Sequence, residues 1–392
     1  MNQPRPTQEG VPPVSWKTGV VWMGCGSLVL WRLLAGHRFR LPLVSLPACA
    51  CDLSCGLFNS ALGTLQDLLL GRSVGRVALD DDPLFVIGHW RTGTTLLHEL
   101  LALDPRHRCP TNYECFVPRH FLISERWLKP CIRFLLPRNR IADSMPVAWD
   151  LPQEDEFALL ALGAPSPYLS IAFPNEPPQF GAYCSLEALS PAELAGWQRT
   201  LTDFFRRLIW KQPGRLVLKS PTHTFRLPVL EELFPRARYV HIVRDPYTVF
   251  PSTIKLWKSL FAAQSYQQPN YEGLDERVLS TFCRMYERFE ATRGRVEPGR
   301  ICDLRYEDLV RDPVGQMRHV YEHLDLGDFG ALAAAVEAYF GQRGDYRPSR
   351  YTLTAEQHAA VTRRWLPYMQ RYGYAASDGP ATGRDGGFQA GK

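Results

Sequence analysis

The sequence predicts an α/β fold with a central parallel sheet covered by helices on both faces. Four short apolar runs rich in β-branched residues predict strands, and helical patterns separate these runs. The predicted strands are residues 84–87, 216–218, 239–243 and 301–304. Repeated strand–helix units form parallel sheets, because a helix is the usual crossover between two parallel strands. Ligands of such sheets bind beyond the carboxyl ends of the strands.

The start of the chain has a different composition from the rest. Residues 1–16 are rich in proline, glutamine and glycine, which predicts a disordered N-terminus. Residues 17–79 predict a helical extension. Its apolar stretch, residues 18–31, is shorter than the run of about 20 apolar residues that a membrane-spanning helix needs. The stretch suits a core helix or a surface-lying helix, so peripheral membrane contact stays open.

The main domain is predicted over residues 80–376, beginning at the boundary sequence Asp-Asp-Asp-Pro. Residues 112–191 carry many prolines and aromatic residues without clean periodicity, which predicts a loop-rich insertion with short helices. The Gly- and Ala-rich tail, residues 377–392, is predicted to be disordered. Helical patterns cover residues 95–103, 192–210, 225–233 and 279–293.

The loop after the first predicted strand is the most informative motif. It reads Phe-Val-Ile-Gly-His-Trp-Arg-Thr-Gly-Thr-Thr-Leu-Leu-His, a strand, a glycine-bearing loop and a helix start. Gly88 and Gly93 let the backbone curve closely around an anion, and the positive end of the helix dipole faces the curve. Thr94 and Thr95 add hydroxyl donors, and Arg91 can hold two oxygens of one anionic group. The motif predicts phosphate or sulfate binding.

The loop departs from the ATPase phosphate loop, GxxxxGK[ST], at one position. Thr94 stands where that motif has lysine, and the cation lies inside the loop as Arg91. A kinase would also need an acidic magnesium ligand after a second strand. The second and third predicted strands are instead followed by the cations Lys219 and Arg244. These features argue against ordinary ATP chemistry, and a kinase-like phosphotransferase remains the rival enzyme.

The Arg-Thr-Gly-Thr-Thr segment, residues 91–95, resembles the donor loop of sulfotransferases. It is more similar to the bacterial, tyrosylprotein and carbohydrate branches than to the cytosolic steroid and phenol members, which usually have lysine there. The resemblance spans roughly residues 83–351. It implies a P-loop-like three-layer fold and a loop that holds the 5′-phosphosulfate of 3′-phosphoadenosine-5′-phosphosulfate (PAPS), the activated sulfate donor. No metal is required for such a transfer.

Two further segments continue the resemblance. In residues 241–252, a strand ends in Arg244 and Ser252 follows eight residues later. Sulfotransferases use this arginine and serine for the 3′-phosphate. Lys219 follows another strand, and the related tyrosylprotein enzymes have a lysine in a similar place. The resemblance puts Lys219 near the sulfuryl group, where a fixed cation lowers the barrier of an in-line transfer.

An acceptor hydroxyl group must lose its proton during transfer, which requires a carboxylate or histidine within hydrogen-bond reach. Glu114 is the first candidate, because tyrosylprotein and several carbohydrate sulfotransferases carry their catalytic glutamate shortly after the loop–helix unit. The rival is the acidic start of an apolar helix, Glu154, Asp155 and Glu156, whose carboxylates otherwise only favour the helix dipole. A histidine on an apolar element is usually a packed polar residue. The remaining candidates are His98, His223 and His241.

Two late segments complete the resemblance. Residues 344–351 form a basic, proline-containing loop like the one that closes over the nucleotide in relatives, which makes Arg347 and Arg350 candidate donor ligands. Residues 305–309, Arg-Tyr-Glu-Asp-Leu, match a segment that recurs in the family after its last core strand. We interpret that segment as mainly structural.

The composition is that of an ordinary folded protein, with 45% hydrophobic and 22% charged residues. The net charge of +5 is too small an excess to predict a nucleic-acid binder. None of the ten cysteines forms a Cys-x-x-Cys pair, so neither a disulfide framework nor a zinc site is predicted. Reduced thiols favour a cytoplasmic protein, and the many arginines, alanines and leucines are typical of a GC-rich bacterial genome.

The sequence therefore predicts a sulfotransferase that moves a sulfuryl group from PAPS to a hydroxyl group, with an amine as the alternative acceptor. We assign catalytic roles to Glu114, Lys219 and Arg91, and acceptor recognition to residues 112–191. A non-catalytic, membrane-associated nucleotide-binding protein is the alternative from another class. The donor-binding residues are predicted to be Arg91, Thr92, Gly93, Thr94, Thr95, Arg244, Ser252, Arg347 and Arg350.

Overall fold

The computed structural model describes residues 20–135, 148–176, 180–343 and 351–377. These ranges contain helices before, between and after the strands. In chain order the α-helices are α1 (Val20–Met23), α2 (Ser27–Gly36), α3 (Leu46–Gly75), α4 (Thr94–Leu101), α5 (Asn112–Phe116), α6 (Phe121–Cys131), α7 (Asp155–Leu162), α8 (Phe180–Ser185), α9 (Pro191–Lys211), α10 (Leu227–Leu233), α11 (Pro246–Gln264), α12 (Leu274–Thr292), α13 (Tyr306–Arg311), α14 (Pro313–His323), α15 (Gly330–Arg343) and α16 (Ala355–Tyr372).

The described strands form one parallel sheet in the order β2-β3-β1-β4-β5. The register places Val86 beside Lys219 and Ile87 beside His241. Because all strands point the same way, their carboxyl ends lie along one edge of the sheet. The strands are β1 (Leu84–Ile87), β2 (His107–Arg108), β3 (Arg215–Lys219), β4 (Arg238–Val243) and β5 (Ile301–Arg305).

Side chains of the central strands alternate between two apolar cores, one on each face of the sheet. Phe85 and Ile87 pack into the larger core, whereas Leu84 and Val86 pack into the smaller one. All four are completely buried, as expected for strands that helices cover on both faces. The fold-class prediction, an α/β fold of the P-loop-like type with a parallel sheet between helices, is therefore confirmed.

Among the elements that the sequence analysis did not identify, β2 and α11 have a weak local signal. β2 has two residues, which is too short for an apolar run to be recognised. α11 contains Pro251, and a proline inside a helical pattern argues against a continuous helix. The other four strands lie where the sequence predicts them, each within one residue at either end.

The predicted helical extension is present as α1, α2 and α3, and it packs onto the main domain. The Trp22 side chain is 1% exposed and its indole N–H donates a hydrogen bond to the Gln264 carbonyl oxygen. Leu30 and Cys49 belong to the same apolar core as Phe85. The N-terminal helices are therefore part of the folded body.

The sequence analysis did not single out α3 as a separate long helix. Among the described residues, one segment, Leu43–Gly75, is long and apolar enough to cross a membrane by length and composition alone. Of its most apolar 18-residue stretch, 28% is buried. The predicted apolar stretch, residues 18–31, instead contributes to the short α1 and the first half of α2.

Candidate active site

The loop between β1 and α4 has a backbone conformation that favours glycine at two positions. Gly88 has φ +145° and Gly93 has φ +105°. A Cβ atom on Gly88 would lie 2.5 Å from the Ile242 carbonyl oxygen, and one on Gly93 would overlap the Tyr306 ring. The loop is therefore closely packed against β4 and α13. α4 begins directly after it, so the first N–H groups of that helix lie at the end of the curve.

Arg91 and Thr92 lie in the middle of this loop. Arg91 has φ +72°, a left-handed conformation that is uncommon for a non-glycine residue. The Thr92 hydroxyl donates a hydrogen bond of 2.8 Å to the His89 carbonyl oxygen, and Thr92 is fully buried. This bond closes the turn and holds the curve that the sequence predicts.

The two predicted donor-binding elements meet in the structure. Arg91 Nε donates to Ser252 Oγ at 2.8 Å, and Arg244 Nη1 donates to the Arg91 carbonyl oxygen at 3.3 Å. The Tyr351 hydroxyl donates to Ser252 Oγ at 3.4 Å. β1 and β4 are neighbours in the sheet, so the residues that follow them are close. The Arg91 loop and the Arg244–Ser252 pair therefore adjoin at one edge of the sheet.

Tyr306 belongs to this site, although the sequence analysis interpreted its segment as mainly structural. The Arg244 guanidinium carbon lies 4.0 Å from the centre of the Tyr306 ring. A cation over an aromatic face is attracted to it, so the ring holds the arginine side chain in place. The position of Tyr306 directly after β5, at the edge where ligands bind, is the signal that could have identified it.

Lys219 ends β3 and is almost fully buried. Its Nζ atom lies 2.7 Å from Glu154 Oε1 and 3.5 Å from Thr95 Oγ1. Thr95 is in the first turn of α4, directly after the anion loop. Lys219 therefore lies between the predicted donor loop and a carboxylate.

Glu154 is held by a second hydrogen bond. The Tyr168 hydroxyl donates to Glu154 Oε2 at 2.6 Å and accepts from the Trp90 indole N–H at 2.8 Å. Burial and the neighbouring Glu154 carboxylate raise the pKa of Tyr168 well above its ordinary value. The hydroxyl therefore stays protonated and keeps donating to Glu154.

Glu114 occupies a different environment from the one that its predicted role as base requires. It is completely buried, and its Oε2 atom accepts from the Thr111 backbone N–H at 2.9 Å in a capping box of α5. Its Oε1 atom accepts from Arg108 at 2.5 Å and from Lys211 at 2.7 Å. Burial opposes ionisation, but the two cations and their hydrogen bonds outweigh it and lower the Glu114 pKa. Both oxygens are engaged, so the geometry favours a structural role.

The other two acids of the predicted rival cluster, Asp155 and Glu156, are held by buried partners, which favours a structural role for both. Glu156 is completely buried and pairs with Arg226, with N–O distances of 2.6 and 3.2 Å. Asp155 is completely buried and lies 2.8 Å from His223 Nε2. Burial opposes ionisation of Asp155, but the His223 partner lowers its pKa. Of the three adjacent acids, Glu154 is the one that contacts Lys219.

The candidate histidines are packed polar residues, as the sequence analysis considers usual. His98 Nε2 lies 3.2 Å from the Val217 carbonyl oxygen, and His241 Nδ1 lies 2.7 Å from Asp303. Arg347 and Arg350 lie outside the described residues. Within the described ranges, no group of three or more His, Cys, Asp or Glu residues could hold a metal ion.

Comparison with known proteins identifies relatives over most of the chain. The model of the sulfotransferase family matches residues 83–329. Two curated proteins are similar, the omega-hydroxy-beta-dihydromenaquinone-9 sulfotransferases Stf3 of Mycobacterium bovis and of Mycobacterium tuberculosis. Each is 45% identical over 354 residues, which cover 90% of this chain and 91% of the relative.

Two solved structures share the fold. Sulfotransferase STF9 from Mycobacterium avium superposes with a TM-score of 0.67 at 19% identity, covering 90% of this chain and 97% of the other. Sulfotransferase STF1 from Mycobacterium tuberculosis H37Rv gives a TM-score of 0.59 at 21% identity, covering 87% and 91%. At these identities the likeness concerns the fold alone.

Proposed function

Because this chain belongs to the sulfotransferase family and is an enzyme that transfers a sulfuryl group, we propose that its donor is PAPS. The loop of residues 88–95 would hold the 5′-phosphosulfate, with Arg91 as its cation and the backbone N–H groups at the start of α4 as further donors. Arg244 and Ser252 would hold the 3′-phosphate. Arg347 and Arg350 stay in the proposal as donor ligands from the basic loop.

The observation that carries this proposal is the meeting of the Arg91 loop with Arg244 and Ser252. A nucleotide with phosphate groups at both the 5′ and 3′ positions needs two cationic groups within its own length. A donor with one phosphate-bearing end would use only one of them. The pairing therefore favours a bisphosphorylated adenosine over ATP.

We propose Glu154 as the general base and do not retain Glu114. The proposed step is an in-line displacement at sulfur. The acceptor oxygen forms a bond to sulfur while the bond from sulfur to the bridging phosphate oxygen breaks. The electron pair of the broken bond stays on the phosphate, which leaves as part of 3′,5′-adenosine bisphosphate, and the acceptor proton moves to Glu154. Lys219, 2.7 Å from Glu154, would stabilise the charge on the transferring and leaving oxygens.

The acceptor is proposed to be a hydroxyl group on a long apolar molecule. The two curated relatives are named for a hydroxylated dihydromenaquinone. Tyr168, which donates to Glu154, belongs to an aromatic cluster: the rings of Trp90 and Tyr168 lie 5.7 and 6.2 Å from that of Trp257. An aromatic cluster of this kind suits an apolar acceptor better than a sugar or a peptide.

Such an acceptor would reside in a membrane, and peripheral contact of the N-terminal helices with that membrane is part of the proposal. We keep the cytoplasmic location as a proposal as well. Contact with a bilayer is compatible with a cytoplasmic location, because a peripheral protein can bind the inner face of a membrane.

A thermal-shift comparison tests the donor assignment. 3′,5′-Adenosine bisphosphate should bind more tightly than ATP with magnesium and should therefore raise the unfolding temperature more. The scale of such an effect is about 2.7 kcal/mol of added stability for a ligand at a hundred times its Kd. Adenosine 5′-phosphate, which lacks the 3′-phosphate, is the matched control and should stabilise less. A larger shift with ATP and magnesium would contradict the proposal and favour a kinase-like protein.

A further inference from the structure

The N-terminal helices present most of the exposed apolar side chains of the described structure. Of fifteen large hydrophobic side chains that are exposed there, eleven lie between residues 28 and 69. We name this set the N-terminal surface; it comprises the outer sides of α2 and α3 and the connection between them. Leu43 is 84% exposed and Leu68 is 79% exposed. Large exposed apolar patches on a folded protein usually mark a contact site.

The polarity of α3 is reversed relative to a helix that faces water. Its buried side carries Asp52, Asn59 and Gln66, each no more than 6% exposed, whereas Leu57 and Leu68 face outward. A helix on the surface of a soluble protein normally buries its leucines and exposes its polar residues. The reversal indicates that the outer side of α3 is suited to apolar surroundings.

The polar residues on the buried side hold α3 against the protein along its length. Asp52 accepts a hydrogen bond of 2.7 Å from the Tyr266 hydroxyl. Asn59 donates to the Met23 carbonyl oxygen at 2.7 Å, and Gln66 donates to the Arg119 carbonyl oxygen at 3.0 Å. Asp52 and Gln66 each lie about two helical turns from Asn59, so the bonds hold α3 at three points along its length. α3 therefore could not leave the protein to cross a bilayer without breaking them.

The charged residues of the segment that carries the N-terminal surface are mostly positive. Residues 20–79 contain five arginines and two acids. Of the two acids, Asp52 is buried and Asp67 is paired with Arg207 at 3.0 Å. The exposed arginines near the apolar side chains include Arg38 and Arg40. A cationic rim around an apolar surface complements the anionic head groups of a bilayer.

We propose that the N-terminal surface docks onto an anionic lipid bilayer, with α3 lying along the membrane plane. This inference rests on the proposed function in one respect, since the membrane would be the source of the apolar acceptor. A second copy of the chain is the other occupant to consider. A two-fold contact through the same surface would bring the arginines of one copy toward those of the other, which disfavours it.

Vesicle flotation of the full chain tests the proposal without donor or acceptor. The wild type should float with phosphatidylcholine vesicles that contain phosphatidylglycerol and bind more weakly to phosphatidylcholine alone. The triple variant Leu43→Ser, Leu68→Ser, Leu69→Ser should lose about tenfold or more in affinity, because three exposed apolar side chains no longer enter the interface. The variant Arg38→Gln, Arg40→Gln should lose about fivefold per arginine, and only on the anionic vesicles.

Leu366→Ser is the matched control, because Leu366 is an exposed leucine on α16, outside the N-terminal surface. It should leave flotation unchanged. Stabilisation by 3′,5′-adenosine bisphosphate should be the same in all variants, so a failure of donor binding is seen separately from a failure of docking. Absence of wild-type flotation, or a wild-type dimer that the triple variant converts to a monomer in sedimentation, would overturn the proposal.

Discussion

Lys219 and Glu154 are 65 residues apart in the sequence and 2.7 Å apart in the structure. A largely buried ion pair adds little net stability, because the cost of removing both charges from water offsets their attraction. The pair also lies beside the anion loop, where Lys219 reaches Thr95. Its location is therefore better explained by transfer chemistry than by stability.

Glu154→Gln tests the proposed base. We expect kcat to fall by about a hundredfold to ten-thousandfold, because an amide cannot take up the acceptor proton. KM for PAPS should change little, since Glu154 is not among the proposed donor ligands. Glu114→Gln is the comparison: if Glu114 is structural, this variant should retain kcat at temperatures where it is folded. A large loss of kcat in a folded Glu114→Gln protein, with normal turnover in Glu154→Gln, would restore the original assignment.

Arg244→Ala separates binding from chemistry. The loss of a charge-assisted bond to the 3′-phosphate should weaken donor binding, whereas Arg91→Ala and Lys219→Ala should lower kcat by roughly tenfold to a thousandfold. The measurement is steady-state kinetics with PAPS varied, together with calorimetric binding of 3′,5′-adenosine bisphosphate. Adenosine 5′-phosphate should bind wild type and Arg244→Ala equally. If all three variants changed kcat and donor binding to the same extent, the separate roles assigned to Arg244, Arg91 and Lys219 would be wrong.

The anion loop is the element whose shape depends most on glycine. Gly93→Ala should lower the unfolding temperature and donor affinity together, because Gly93 has φ +105° and a Cβ there would meet the Tyr306 ring. We expect a loss of about 1–3 kcal/mol in the free energy of unfolding. Gly75→Ala is the control at the end of α3, where a Cβ has open space and alanine favours the helix. An unchanged Gly93→Ala protein would show that the loop is not closely packed.

The short helix α5 depends on the ionised Glu114 side chain. Since Arg108 and Lys211 lower its folded-state pKa below the ordinary value of 4.5, ionised Glu114 stabilises the fold above that pH. This contribution should be lost as the pH falls through 4.5 toward the folded-state pKa. Glu114→Gln should cost about 3–5 kcal/mol at neutral pH, because it leaves the buried Arg108 guanidinium without its full counter-charge. Denaturant unfolding between neutral and acidic pH checks this: the difference between wild type and variant should shrink on acidification.

At the scale of elements, local patterns were sufficient for four of the five described strands and insufficient for β2 and α3. β1 matches its predicted residues because Leu84–Ile87 is a complete apolar run. β2 has no such run, and it is a strand only because His107 and Arg108 pair with β3. The long α3 has leucines on its outer side and polar residues on its inner side. The usual rule that a helix buries its apolar side therefore predicts the wrong side of α3 as the buried one.

The whole molecule includes more than the segment that matches the family model, residues 83–329. Trp22 belongs to the core although it precedes that segment by about sixty residues. We therefore expect Trp22→Ala to cost about 3–5 kcal/mol in the free energy of unfolding. Trp31→Ala, at a tryptophan that is 56% exposed, is the matched control and should cost little. Chemical denaturation measures both; similar small effects would mean that α1 is not part of the core.

The sequence alone determined the anion loop, its two glycines, its arginine and the strand–helix order around it, because these features are contiguous in the chain. Only the tertiary structure decided which carboxylate lies beside Lys219, because Glu154 and Glu114 are both acids in the same insertion and differ only in their long-range packing. It also decided which side of α3 faces outward, since that depends on the polar partners Tyr266, Met23 and Arg119 from distant elements.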